Sequence, residues 1–339
     1  MIPFIHDIIS VMEKSIDSHP KISVITPICN GAKHLGRCID SVLANGFEDI
    51  EIILLNDGST DESPEIMAGY KEAYPDIIRT YSQENIGVAG TRNRGIELAR
   101  GKYILFLDQD DWFDNDYILR FYNAIENSGS DVVVGGYKRP DAAGRIVLKR
   151  LLPGTGYYRF IAVAAWAKIH RASFLKENGI EFFNNNIGED VAFSMKEAIL
   201  SDKYSFIPYI GYNWYLNEES VSETEHKGFR ESIALFNFLE KLAGYEYEDE
   251  RIKEYFIVKS ALYYLMHSGR SSAPEKYREV YAEIMGWVNQ RFPGFSNNRF
   301  LNFGLPGEPF KVRLAIFLLL MIHRTGIIKL FSKLYCKSQ

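Results

Sequence analysis

The sequence predicts an α/β protein: a doubly wound, mostly parallel sheet followed by a smaller helical region. Short β-branched runs alternate with amphipathic segments as far as residue 134, the pattern of strand–helix–strand units. Three polar clusters, Thr26-Pro27, Asn56-Asp57-Gly58 and Asp108 to Asp111, fall at the ends of such runs. From about Lys227 onward strand-like runs stop and helical patterning takes over.

After a lead-in of residues 1–20, Ile22 to Ile28 (ISVITPI) reads as a buried strand. Leu35, Ile39, Val42 and Leu43 recur at helical spacing, so 32–45 reads as a helix packed on it. Ile50 to Leu55 is a second strand, and Ser59, Thr60 and Asp61 offer N-caps for a helix reaching about Tyr74. Ile77 to Tyr81 is a weaker third strand. Val88 to Arg100 reads as a helix with Gly101 as its C-terminal cap. Tyr103 to Leu107 (YILFL) is a strand delivered straight into Asp108-Gln109-Asp110-Asp111, followed by a helix over about 114–127 and a strand at 131–134. A boundary is placed near 226, with helices over 229–243, 249–269 and 274–291.

Composition narrows the class. The 339 residues are 46% apolar, enough for a sizeable core. The 14% aromatic share suits a carbohydrate-handling surface and equally a packed interior. Net charge is −5, so the chain as a whole offers no nucleic-acid footprint. Cys29, Cys38 and Cys336 lack zinc or disulfide spacing and suit a reducing compartment. The first apolar stretch is broken by His6 and Asp7 with no basic segment before it, so no signal peptide is expected. No window reaches the ~18 uninterrupted apolar residues of a spanning helix. A cytoplasmic protein is the expectation.

In doubly wound sheets ligands bind beyond the carboxyl ends of the strands, so the topology brings the three polar clusters to one rim. The dinucleotide fingerprint needs three glycines after the first strand; Pro27-Ile28-Cys29-Asn30-Gly31 has one. The Gly-x-x-x-x-Gly-Lys-Ser/Thr phosphate loop is also missing. What stands there instead is carboxylate. Asp108 and Asp110, two apart after a strand, would share one side of an extended segment. Hard oxygen ligands completed by substrate phosphates are how Mg²⁺ or Mn²⁺ is held. A solvated turn capping the next helix is the plain alternative.

The segment Ile22–Trp112 resembles the nucleotide-sugar half of the family 2 glycosyltransferases, inverting enzymes with the GT-A fold. The matching stretches are Val24-Ile25-Thr26-Pro27 with Asn30, then ILLNDGSTD from Ile53, then Glu84-Asn85-Ile86-Gly87. Arg92-Asn93-Arg94-Gly95 and GKYILFLDQDDW from Gly101 complete the series. Cys29 departs from the Tyr often found before the first Asn. The resemblance implies that Thr26 and Pro27 line the nucleobase and ribose and that Asp57 hydrogen-bonds the base; as residue chemistry alone, Asp57 before Gly58 is also a turn-former. It implies that Asn30, Asn85, Gly87 and Arg92 shape the donor pocket. Asp108 would reach the ribose or the metal shell, and Asp110 would ligate the metal. The domain would run over 21–226, with a nucleotide-sugar half at 21–112 and an acceptor half at 113–226, and 227–339 would be helical.

Transfer with inversion needs a carboxylate to take the acceptor's proton. Asn186-Ile187-Gly188-Glu189-Asp190 precedes a helical run and resembles the family's Glu-Asp element, which makes Asp190 the base with Glu189 beside it. Helix capping explains two acidic residues there equally well. Trp166-Ala167-Lys168 matches the acceptor wall: Trp166 would stack on a sugar and Lys168 would meet phosphate or hydroxyl, against a core Trp with a snorkelling Lys. Trp214 and Tyr215 read as core strand. Ser220, Ser222 and His226 lie where the family has a loop over the diphosphate, with His226 a candidate metal contact.

Leu314 to Ile322 is apolar but too short to span a bilayer. Lys311, Arg313, Arg324, Lys329, Lys333 and Lys337 are basic, and no acidic residue follows Glu308. Residues 311–337 therefore read as a basic amphipathic tail for the inner face of an anionic membrane, or as a closing core helix. The function implied is transfer of a sugar, UDP-linked by the family's habit, to a glycan or lipid-linked glycan in surface polysaccharide or glycoconjugate synthesis. The alternatives are a non-catalytic nucleotide- or glycan-binding partner and a sugar nucleotidyltransferase, which would need a basic Gly-rich loop after the first strand.

Overall fold

The computed structural model describes residues 19–152, 154, 156–184, 188–217, 229, 232–247 and 249–336. Ser220, Ser222, His226, Lys337, the boundary near 226 and all but the end of the 1–20 lead-in lie outside the described residues.

Among the described residues nine strands share one sheet: β1 (Ile22–Ile28), β2 (Ile50–Asp57), β3 (Ile78–Gln83), β4 (Tyr103–Phe106), β5 (Trp112–Phe113), β6 (Val132–Pro140), β7 (Ile146–Arg150), β8 (Lys168–Arg171) and β9 (Tyr204–Asn213). Their order is β3-β2-β1-β4-β8-β6-β9-β5, with β7 hairpinned onto β6. The first four strands are parallel. Beyond them β8 runs antiparallel to β4 and β6, β6 and β9 are parallel, and β5 is antiparallel to β9. β5, β7 and β8 escaped the sequence reading because two to five residues carry little periodicity.

Helices cover both faces: α1 (Ala32–Leu43), α2 (Ser63–Ala73), α3 (Gly87–Leu98), α4 (Tyr117–Ser128), α5 (Ala172–Glu177) and α6 (Glu189–Leu200). With both faces covered, every residue of β1 and β2 is buried, which is why those strands read as continuous apolar runs. Register sets the rim: Ile28 pairs with Asn56, and Ile25 pairs with Phe106 just before the acidic turn. The three polar clusters therefore emerge on one edge, as the pattern predicted. One expectation needs correction. α3 ends at Leu98 with Ala99 extended, so Gly101 is no helix cap. A Cβ on Gly101 would lie 2.5 Å from the Ser23 backbone nitrogen, so its small size serves close strand approach.

The helical region follows as α7 (Ser232–Ala243), α8 (Glu250–Gly269), α9 (Pro274–Arg291), α10 (Arg299–Phe303), α11 (Phe310–Thr325) and α12 (Ile328–Tyr335). It has its own apolar core around Tyr255, Phe256, Leu262 and Ile284. α6 joins this core to the sheet. Ala192, Met195 and Ala198 face the helical core, while Phe193 faces the sheet. There Phe193 stacks on Phe182 at 4.0 Å, and Phe106 of β4 meets both rings edge-on. Burying each such ring contributes about 1.5–3 kcal/mol. This packing fixes the start of α6 above the end of β4.

Candidate active site

The acidic turn is a turn in the strict sense. The Asp111 amide donates to the Asp108 carbonyl at 3.0 Å, so Asp108 and Asp110 do not share one side of an extended strand as expected. The curl has a cause: Asp111 is drawn inward, 1% exposed, accepting from the Tyr212 hydroxyl at 2.6 Å and the Tyr215 amide at 2.8 Å. Burial, then its acidic neighbours, raise the Asp111 carboxyl well above the ordinary range. Asp111 is the anchor of the turn, and Asp108 and Asp110 are left at its outer side.

Residues between and around the two carboxylates pin them. The Gln109 side chain bonds both backbone groups of Cys29, accepting at 2.9 Å and donating at 3.0 Å, which ties the turn to the end of β1. Gly31 makes room, since a Cβ there would lie 2.3 Å from Gln109 Oε1. Arg37 lies 3.8 Å over the Trp112 ring and 4.6 Å over Tyr215, and donates to the Asp110 carbonyl at 2.7 Å. Asn217 Nδ2 donates to Asp110 Oδ2 at 3.1 Å, and burial raises the Asp110 carboxyl. None of Gln109, Arg37 or Asn217 stood out in the sequence. Only Gln109, as the middle position of Asp-x-Asp, carries a signal in the sequence.

Arg92 is the centre of the charge arrangement. Its guanidinium, 5% exposed, donates from Nη2 to Asp108 Oδ1 at 2.7 Å and from Nη1 to Asp190 Oδ1 at 2.6 Å. Burial opposes the Arg92 charge, but Asp108 and Asp190 outweigh it and hold its pKa above the ordinary value. Asp190 sits in the first turn of α6, where capping was the rival explanation. The N-cap position is Gly188, no side chain caps the helix, and Asp190 points to Arg92 instead. Burial raises the Asp190 carboxyl against the pull of Arg92. Glu189 beside it is pushed up to about 7, by burial first and then by Asp190.

On the donor side the picture is mixed. Thr26 and Pro27 are buried in β1, so they form the floor of the rim, and Cys29 and Asn30 are its exposed edge. Asn30 accepts from the Thr60 amide at 2.8 Å and so bridges the β1 and β2 ends. Asp57, expected to hydrogen-bond the base, is also engaged by the protein itself. It is 3% exposed; its Oδ1 accepts from the Ile86 amide and Gln83 Nε2, and its Oδ2 accepts from the Gly87 amide at 2.9 Å. The carboxylate thus holds the first amides of α3, as a negative charge at a helix N-terminus does. Asn85, exposed, donates to the Asp57 carbonyl at 3.0 Å and to Cys29 Sγ at 3.4 Å. Gly87 has φ of +83°, a conformation that excludes most side chains.

On the opposite side Trp166 is half-buried, stacked on Tyr212 at 4.7 Å and flanked by Tyr137 and Trp214. Lys168 is the clear correction. It is 1% exposed, donating to Ser194 at 2.8 Å and Glu197 at 3.1 Å, so it meets neither acceptor nor phosphate. Glu197 also pairs with His170, whose other ring nitrogen faces the Ala165 carbonyl. This buried trio clamps α6 to β8 beneath Asp190, which sequence spacing gave no reason to suspect.

No set of three or more His, Cys, Asp or Glu side chains converges to hold a cation among the described residues. The donor set fits a hard divalent ion nonetheless. Asp110 is a half-buried carboxylate met by the neutral amide of Asn217, and Asp108 lies two residues away. One or two carboxylates completed by substrate phosphates is the usual protein share of a Mg²⁺ shell.

Comparison with known proteins decides the family. Residues 23–181 match the model of the family described as Glycosyl transferase family 2. This domain belongs to glycosyl transferase family 2. The chain is 30% identical over 222 residues to Glycosyltransferase GlyA of Streptococcus pneumoniae, covering 60% of this chain and 31% of that protein. A region 33% identical over 193 residues to the Poly(ribitol-phosphate) beta-glucosyltransferase of Bacillus spizizenii covers 55% of this chain and 30% of that one. The chain thus spans about a third of these two relatives' length. Among solved structures, S. aureus TarS 1-349 in complex with UDP-GlcNAc shares the fold with a TM-score of 0.69 at 18% identity, over 90% of this chain and 92% of that one. The likeness therefore extends past the family 2 domain into the helical region.

Proposed function

We propose that the chain is an inverting, metal-dependent glycosyltransferase, moving a sugar from a nucleotide diphosphate sugar to a hydroxyl of a glycan or lipid-linked glycan. The observation that carries it is the Asp108–Arg92–Asp190 bridge, which couples the donor-side turn to a carboxylate that local chemistry would have spent on a helix cap.

The donor enters over the rim of Asn30, Asn85 and Gly87, with Thr26 and Pro27 as floor and Asp57 fixing the 85–87 segment from below. When bound, a divalent ion on Asp110 and Asp108 would offset charge on the departing diphosphate. Asp190 takes the acceptor hydroxyl's proton as the oxygen attacks the anomeric carbon opposite the diphosphate. Its environment suits that work: burial raises its proton affinity, and the Arg92 charge opposes that rise. Glu189 stays beside it as a second carboxyl whose proton affinity burial also raises. Trp166 offers a ring face to the acceptor sugar.

A UDP-linked donor is favoured because the TarS fold is seen with UDP-GlcNAc, and a surface polymer acceptor because a relative glucosylates poly(ribitol-phosphate) by its name. Donors of this kind and unpaired cysteines both suit a cytoplasmic setting. The test is a thermal-shift series of nucleotide sugars with and without Mn²⁺, followed by transfer to glycan acceptors. Ligands of the folded state raise the melting temperature by mass action. If no nucleotide sugar shifts the midpoint under either condition, the reading fails.

A further inference from the structure

Most of the large apolar side chains exposed among the described residues gather in two segments, and the rest, such as Tyr74, Leu119 and Tyr263, are scattered. In the β6–β7 hairpin, Ile146, Val147, Leu148 and Leu151 are all exposed, on both faces of a strand whose outer edge is unpaired in the sheet. In the helical region α11 and α12 turn one apolar face inward, with Ile316, Leu319 and Leu320 in the core and Phe331 and Tyr335 packed against it. Their outer face is apolar as well. Phe310, Leu314, Phe317 and Leu318 are exposed on α11, and Leu330 and Leu334 on α12, Leu334 to 79%. Helices apolar on both faces are not explained by packing onto the core alone. The hairpin approaches the turn before α11 across a groove of about 270 Å³ lined by Leu148, Leu151, Tyr158, Gly307 and Pro309.

Charge selects the occupant. In the hairpin Asp141 pairs with Arg145 at 2.7 Å, which leaves Lys149 and Arg150 as its uncompensated charges, and 309–336 contribute Lys311, Arg313, Arg324, Lys329 and Lys333 with no acidic residue, in a chain of net charge −5. A second copy would set like charges against each other. No described helix is long and apolar enough to cross a membrane. We infer that the β6–β7 hairpin and the outer face of α11 and α12 form one docking surface that lies on an anionic lipid bilayer. Apolar side chains enter the acyl boundary and the flanking basic residues meet lipid headgroups. The hairpin is the part that the tail sequence did not announce. The inference is independent of the donor and acceptor proposed above.

The experiment is co-sedimentation of the full chain with phosphatidylcholine vesicles and with mixed phosphatidylcholine–phosphatidylglycerol vesicles, at low and high salt. Binding is expected to the anionic vesicles and to weaken with salt. Lys329→Ser with Lys333→Ser is expected to lower the partition coefficient about 25-fold, roughly fivefold for each lysine near the surface. Val147→Ser with Leu148→Ser, and separately Phe317→Ser with Leu318→Ser, are each expected to lower it about tenfold or more while the melting temperature holds, because these side chains are exposed. Equal binding to neutral and anionic vesicles, or none at low salt, overturns the inference. An unchanged hairpin variant overturns the composite surface. Concentration-dependent self-association in ultracentrifugation, abolished by the same substitutions, would assign the face to a second copy.

Discussion

The Asp190 carboxylate lies 2.6 Å from the Arg92 guanidinium, although its place in the first turn of α6 suits it to capping that helix. The same guanidinium holds Asp108 at 2.7 Å. Arg92→Gln leaves these two carboxylates near each other without their cation, and breaking such a buried pair costs about 3–5 kcal/mol. Urea denaturation should therefore show a clearly lower midpoint with an unchanged slope. A midpoint equal to the parent's would mean that the bridge carries no stability.

Asp190→Asn keeps the shape and removes the proton acceptor. Donor affinity by calorimetry is expected to stay within a few-fold, while transfer falls by about 10² to 10⁴, the usual contribution of a general base. Normal transfer by this variant would remove Asp190 from the mechanism.

Asp110→Asn tests the cation. In the parent, Mn²⁺ is expected to enhance the thermal shift given by a nucleotide sugar; in the variant that enhancement should vanish while the cation-free shift remains. If the Mn²⁺ dependence survives, the ion is held elsewhere.

Glu189 gives a pH signature. Its folded-state pKa of about 7 lies above the unfolded carboxyl value, so the folded chain binds the proton more tightly and stability falls as pH rises from about 4.5 through 7. Glu189→Gln should remove this slope and leave the protein about 2 kcal/mol more stable than the parent at pH 8. Denaturation curves at pH 5 and pH 8 compare the two; parallel pH dependence would contradict the assignment.

The clamp under α6 is testable by a cycle. Glu197→Gln strands the buried Lys168 and is expected to cost about 3–5 kcal/mol, as removal of one partner of a buried pair does. Adding Lys168→Met should recover part of that loss, because the stranded charge goes too. If the double variant is the sum of the singles, Lys168 and Glu197 are not coupled.

Much of this was legible in the chain itself. Buried parallel strands advertise themselves as β-branched runs, and each run's end places a polar cluster on the rim, so Thr26, Asp57 and Asp108 could be brought together on paper. The ordered motifs from Ile22 to Trp112 identified the family, because their spacing is a local property. What the tertiary structure alone decided was the direction and the partners of each side chain. Three carboxylates follow β4; Tyr212, a hundred residues away, takes Asp111 inward, and Asn217 meets Asp110. Lys168 looked like a surface cation until Glu197 and Ser194 closed around it. Asp57 before Gly58 gives no sign in the sequence that its two oxygens accept from the amides of Ile86 and Gly87 at the start of α3. Periodicity reports which backbone is buried, whereas desolvation and ion pairing depend on which distant groups arrive at the same place, and that is settled only when the chain has packed.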